Sequence, residues 1–237
     1  MSIKGLLIDS GGVLNGPITG HWMITTNFFE VVDKDVFNKI DKQRRASAFS
    51  EAMAYINTIH VMHDLEEEYT HFKEHYSVLF RALPEIKIDE AGIEAITKDL
   101  VYNYEKYRFY DDAKKWIPNL SEHYELAIVS DAWPSLRHVF THNDFLKYFK
   151  SFIISCELGI RKPDKVMYLK AVENFTCDIK EVAFIDDRLK NCEGAKSAGI
   201  EKTYLMCRWR LEYWFRKLTV RRHKVVRDFE ELSMDLE

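Results

Sequence analysis

Five short apolar runs stand out along the chain: Gly5-Leu-Leu-Ile-Asp9, Leu126-Ala-Ile-Val-Ser130, Phe152-Ile-Ile-Ser155, Val182-Ala-Phe-Ile-Asp186 and Thr203-Tyr-Leu-Met206. None alternates apolar with polar. Such continuous runs predict strands buried on both faces, as in a parallel sheet. Helix-like segments separate the last four, so the second half reads β-α-β-α-β-α-β. Cys192, Ala195 and Ala198 form a small packing face between Ile185 and Thr203, and Gly199 stands where a left-handed C-cap is wanted. Pro134 and Pro163 fit early helical positions. Pro118 interrupts Asp111–Leu120, otherwise helical, and predicts a kink or an early stop.

Residues from about 18 to 105 follow a different period. Leu65, Tyr69, Phe72, Tyr76, Leu79 and Leu83 recur at alternating spacings of four and three. Asp64, with Glu67 three residues on, resembles a capping box. Ile93, Ile96, Leu100 and Tyr104 make a second stripe, with Asp89 as N-cap, and Phe49, Met53 and Ile56 make a third. The predicted fold is therefore α/β: a doubly wound, mainly parallel sheet, built from residues 1–16 and 106–237, with a helical domain of residues 17–105 inserted after the first strand. The joints fall at Asn15-Gly16-Pro17 and Tyr107–Asp111.

Composition narrows the function. The 237 residues are 46% hydrophobic and 30% charged, which excludes wholesale disorder, and no apolar run approaches the ~18 residues of a membrane span. The N-terminus has no signal-peptide pattern, so the expectation is a cytoplasmic protein with no membrane partner. A net charge of −4 does not mark a nucleic-acid binder. Charge is uneven, however: Arg208, Arg210, Arg216, Lys217, Arg221, Arg222 and Lys224 face only Glu212 within 208–224. The four cysteines lack C-x-x-C spacing and read as reduced and mostly buried. An aromatic content of 14% leaves room for a homo-oligomer interface without locating it.

The candidate chemistry lies at the strand ends. Asp9 closes the first run, Ser130-Asp131 the second, and Asp186-Asp187 the fourth. Open α/β sheets bind ligands beyond the carboxyl ends of their strands, so these residues suggest one composite site. Lys162, after the third run, adds a positive charge. Converging carboxylates repel, and a hard cation such as Mg²⁺ relieves that repulsion. Gly11-Gly12 allows a tight turn and close backbone approach to an ion or phosphate.

With those residues in order, the chain resembles the haloacid dehalogenase superfamily, in the branch with a helical cap after the first motif. The four motifs read Asp9-Ser-Gly-Gly-Val-Leu14, Ser130, Lys162-Pro163, and Asp186-Asp187 with Asn191. The resemblance implies a Rossmann-like core and a Mg²⁺-dependent phosphatase acting on a small phosphorylated metabolite. It makes Asp9 the nucleophile that forms an aspartyl-phosphate, and it has Ser130 and backbone N–H groups near Asp131 hold the phosphoryl oxygens. Lys162 neutralises charge on nucleophile and phosphate. Asp9, the Gly11 carbonyl and Asp187 would ligate Mg²⁺, while Asp186 and Asn191 orient them. One position departs from the pattern: Gly11 stands where the family has its acid/base Asp. Two alternatives stay open. One is a 2-haloacid dehalogenase, which needs no metal and usually has an aromatic residue at position 11. The other is a phosphate-binding or regulatory member with weakened turnover.

Other features have plainer readings. His71 and His75, at i and i+4, are a potential metal pair, but a polar cap face is the simpler account. Trp22, Phe28 and Phe29 suit either a pocket floor or the insert's core. Arg44-Arg45 read as a solvated helix face. In the basic stretch, Trp209, Tyr213 and Phe215 alternate with arginines. That pattern suits nucleic acid or a membrane surface, or equally a helix docked on the sheet edge with its Arg heads in water.

Overall fold

A computed structural model describes residues 2–236. All five apolar runs are strands of one parallel sheet: β1 Gly5–Ile8, β4 Glu125–Ser130, β5 Ser151–Ile154, β6 Val182–Asp186 and β7 Lys202–Met206. A sixth strand, β8 Lys224–Val226, extends one edge, and the order is β5-β4-β1-β6-β7-β8. β1 is central, pairing with β4 and β6. Neighbouring side chains on it serve opposite faces. Leu6 and Ile8 join one buried cluster, with Ile117 and Leu120 of helix Asp111–His123 and Phe229 of helix Phe229–Leu236. Leu7 joins the other, with Met167 and Ala171 of helix Lys165–Val172 and Ala195 of helix Leu189–Ser197. Burial on both faces explains why the strands read as continuous apolar runs. The fold is α/β, doubly wound and Rossmann-like.

Two three-residue strands, β2 Asn15–Pro17 and β3 Tyr107–Phe109, pair antiparallel as a separate ribbon at the two joints. Between them run helices Phe28–Val31, Lys34–Lys39, Lys42–Thr58, Leu65–Ala82 and Glu90–Tyr102. Their apolar faces continue the first cluster through Phe28, Phe49, Phe72 and Tyr76.

Several local expectations need correction. Pro118 does not end its helix, which continues to His123; Ala113, Ile117 and Leu120 are buried along it, and this packing outweighs the lost backbone bond. Pro163 lies outside its helix, because Asp164 takes the N-cap position and accepts from the Val166 N–H. Asp64 accepts from the Glu66 and Glu67 N–H groups, but Glu67 reaches past it to the His63 N–H, so the capping box is open. His75 is not part of a polar face: it is fully buried beside the Phe72 and Tyr76 rings. Helix Arg210–Thr219 does not dock through three aromatics either. Only Tyr213 is buried, while Trp209 and Phe215 are exposed.

Candidate active site

The loop after β1 is wound tightly around one carbonyl. The Ser10 oxygen accepts from the N–H groups of Val13, Leu14 and Asn15, and Asn15 Nδ2 donates to Ser10 Oγ at 2.8 Å. The Asp9 N–H still pairs with Ile185 O of β6, so the Asp9 side chain leaves from the last fixed point of the sheet. Gly12 has φ +78°, and a Cβ there would stand 2.4 Å from Asp187 Oδ2. This glycine lets the loop lie against the end of β6.

Opposite charges converge at that point. Lys162 Nζ donates to Asp9 Oδ1 at 2.7 Å and to Asp186 Oδ2 at 2.6 Å, with all three side chains buried. Asp186 is further held by Asn191 Nδ2, at 3.0 Å to each oxygen, and by the Arg188 N–H. Asp131 accepts from the Lys162 N–H at 2.9 Å. It thereby fixes the loop that carries the lysine.

Burial pushes the Asp9 carboxyl up to about 7; the Lys162 ammonium opposes this, and Asp186 and Asp187 reinforce it. Asp187 is raised to about 6, first by burial and then by the Asp186 charge. Burial lowers the pKa of Lys162, but the attraction of Asp9 and Asp186 outweighs it, and the lysine stays charged.

Carboxylate oxygens of Asp9, Asp186 and Asp187 lie within 4.8 Å of one another. Asp186 already has three donors, whereas Asp187 has no lysine of its own. An all-oxygen group with excess negative charge fits a hard divalent cation. The donor set therefore suits Mg²⁺, which Asp9 and Asp187 could hold as side-chain ligands.

Above the acidic group lies a cavity of about 670 Å³, within the range of small-molecule sites. Asp9, Gly11, Ser130, Asp131, Lys162, Asp187 and Asn191 all line it, and the insert contributes His21, Trp22, Phe49 and Met53. Of the predicted set only Asp186 does not line the cavity, because it is sealed beneath Lys162. Phe28 and Phe29 are not among the lining residues, and Arg44 pairs with Glu85 instead. Trp22 covers Gly11: a Cβ at position 11 would stand 3.1 Å from the indole. The indole is itself braced edge-on by Tyr107 at 5.1 Å.

Arg208 was not among the predicted site residues. It donates to the Gly12 and Val13 carbonyls and to both oxygens of Asp112, and it stacks over Tyr110 at 4.0 Å. It pins the loop that follows Asp9 from beyond the end of β7. Its sequence signal was its place two residues past a strand end, hidden inside a basic run. Glu68 was also missed. Buried on helix Leu65–Ala82, it accepts from the Ser135 N–H at 2.7 Å and from Ser135 Oγ at 2.6 Å, tying the insert to the wall of the cavity.

Comparison with known proteins places this geometry. The sequence model for haloacid dehalogenase-like hydrolases matches residues 26–204. The match begins after the Asp9 loop, so the first motif rests on its own residues. No curated protein matches the chain. Among solved structures, the chain is similar to a HAD phosphatase from Thermococcus onnurineus, with 20% identity, a TM-score of 0.65, and coverage of 99% of this chain and 98% of that one. It is similar to the putative HAD-hydrolase YfnB from Bacillus subtilis, bound to magnesium, with 17% identity, a TM-score of 0.64 and complete coverage of both chains (100% and 100%). An L-2-haloacid dehalogenase from Xanthobacter autotrophicus, with chloropropionic acid covalently bound, shows 16% identity, a TM-score of 0.59, and coverage of 98% and 97%. At such identities these likenesses carry the fold and not the reaction. The chain belongs to the haloacid dehalogenase-like hydrolases.

Proposed function

We propose that the protein is a Mg²⁺-dependent phosphatase of small phosphate monoesters, with Asp9 as nucleophile. The observation that carries this reading is the unequal treatment of the carboxylates. One lysine, Lys162, is shared between Asp9 and Asp186, and Asn191 adds only to Asp186, so the three carboxylates together keep an excess negative charge, with Asp187 furthest from compensation, that a cation would balance. A dehalogenase has no such requirement.

Asp9 attacks phosphorus through its free oxygen, and the P–O bond to the leaving group breaks. Lys162 holds Asp9 Oδ1, favours the ionised form of the attacking carboxylate and aims it. Ser130, with N–H groups of the following turn, receives the phosphoryl oxygens. Water then attacks phosphorus, releases inorganic phosphate and restores Asp9. When bound, Mg²⁺ supplies charge neutralisation between nucleophile and phosphate. The helical segment 17–105 acts as a cap that closes the cavity and selects the ester.

Trp22 lies over Gly11 and offers no titratable group in place of the family's acid. Turnover should therefore favour good leaving groups, since general acid–base help is typically ~10²–10⁴-fold. The same indole favours the dehalogenase as a second reading, because it sets an aromatic ring where dehalogenases have their position-11 side chain.

The test is a panel of p-nitrophenyl phosphate, metabolite phosphates and 2-chloropropionate, each with Mg²⁺ and with EDTA. Phosphate release that requires Mg²⁺ supports the phosphatase. Chloride release insensitive to EDTA replaces it with the dehalogenase. Mg²⁺ binding without turnover of any ester leaves the phosphate-binding reading.

A further inference from the structure

Helix Arg210–Thr219 is turned with its apolar side outward. Trp209 (81% exposed), Leu211 (88%), Trp214 (55%), Phe215 (62%) and Leu218 (77%) all reach solvent at its surface. At 3.6 residues per turn, Leu211, Trp214, Phe215 and Leu218 share an arc of about 100°. Tyr213 and Val220, which pack on the sheet cluster, lie nearly opposite. The helix is therefore anchored by its polar-edged side and presents a continuous apolar stripe.

The unpaired charges on this helix and the turn after it have one sign. Glu212 is paired with Arg216, Glu231 with Lys217, and Asp235 with Lys224. Arg210, Arg221 and Arg222 are exposed and have no ion-pair partner among the described residues. The surface thus combines exposed Trp, Phe and Leu with uncompensated arginines.

We propose that this helix is a peripheral docking surface for an anionic lipid bilayer. The Leu and Phe side chains enter the acyl boundary, the Trp rings sit at headgroup level, and the arginines meet lipid phosphates. No helix among the described residues is long and apolar enough to cross a membrane, so contact is confined to the interface. Two other occupants fit less well. A second copy docked face to face would bring together two surfaces with the same uncompensated arginines, Arg210, Arg221 and Arg222. A nucleic acid would satisfy the arginines but leave Leu211 and Leu218 without a partner, since only flat side chains stack on bases. The proposal departs from the expectation of no membrane partner, which rested on the absence of a spanning segment.

The experiment is co-flotation of the full-length protein with vesicles of phosphatidylcholine alone and of phosphatidylcholine with phosphatidylglycerol. Two double variants are compared, Leu211→Ser with Leu218→Ser and Arg221→Glu with Arg222→Glu. All four positions are exposed, and an unchanged melting temperature verifies that both variants fold. Binding to the anionic vesicles, weakened by salt and reduced at least tenfold on neutral vesicles and in each variant, is the expected result. Failure of the wild type to float with anionic vesicles overturns the proposal, as does equal flotation of the variants. Dimerisation in sedimentation velocity that the Leu variant abolishes, without vesicle binding, would assign the face to a second copy. An oligonucleotide shift lost only in the Arg variant, again without vesicle binding, would assign it to nucleic acid. None of these readouts depends on phosphatase activity.

Discussion

Gly12 is fixed twice, by its positive φ and by the Asp187 oxygen beside the position a Cβ would take. Gly12→Ala should cost about 1–3 kcal/mol of backbone strain and displace Asp187. Calorimetric titration with Mg²⁺ should show at least a tenfold loss of affinity; unchanged affinity would remove Asp187 from the ligand set. Gly11 poses a different problem. An Asp there meets the Trp22 indole, so Gly11→Asp alone should not raise kcat. Combined with Trp22→Ala it should accelerate hydrolysis of alkyl phosphates by about 10² or more, while p-nitrophenyl phosphate, with its good leaving group, changes little. Asp9, Ser130, Lys162, Asp186 and Asp187 were legible in the sequence because each closes a strand or follows one, and the sheet brings strand ends together. Trp22 and Arg208 reach the same loop from the insert and from beyond β7. No local pattern links them to Gly11 or Gly12.

Helix Leu65–Ala82 shows what periodicity reads and what it omits. Its apolar stripe was evident, but His75 falls between Phe72 and Tyr76 and enters the core with them. Burial lowers its pKa to about 4, with the Ala52 backbone opposing the shift. The folded protein keeps it neutral, whereas the unfolded chain protonates it below its ordinary value of 6.5. Stability is therefore full above pH 6.5 and falls as the pH drops toward 4, by up to about 3 kcal/mol from this group. Urea unfolding across that range should show the loss, and His75→Phe should flatten it; an unchanged slope in the variant would place the titration elsewhere. β2, β3 and β8 escaped the sequence reading for a simpler reason. Each has three residues, too few to display a period. The outward face of Arg210–Thr219 stayed open in the sequence because amphipathicity fixes a helix's apolar side but not the direction it faces.

Buried contacts tie the insert to the sheet domain beside the cavity. Glu68 holds Ser135, and Lys106, itself buried, donates to Ser135 Oγ and to the Leu100 carbonyl. Burial raises the Glu68 pKa against the opposing charge of Lys106, and it lowers Lys106 to about 8. Phe72 packs edge-on against Trp133 at 4.9 Å, and the Met62 N–H donates to Cys156 O. Glu68→Ala would leave the buried Ser135 N–H without its acceptor and remove the charge that opposes Lys106, at an expected cost of about 1–3 kcal/mol. Chemical denaturation measures it, and no measurable cost would mean that water replaces the lost acceptor. The proposed phosphatase chemistry requires above all that Asp9 become phosphorylated. Protein quenched in acid during turnover of p-nitrophenyl phosphate with Mg²⁺ should yield an Asp9 peptide carrying one phosphoryl group, absent with EDTA and in Asp9→Asn. Phosphate release that proceeds with Asp9 unmodified, or that survives Asp9→Asn, would contradict it.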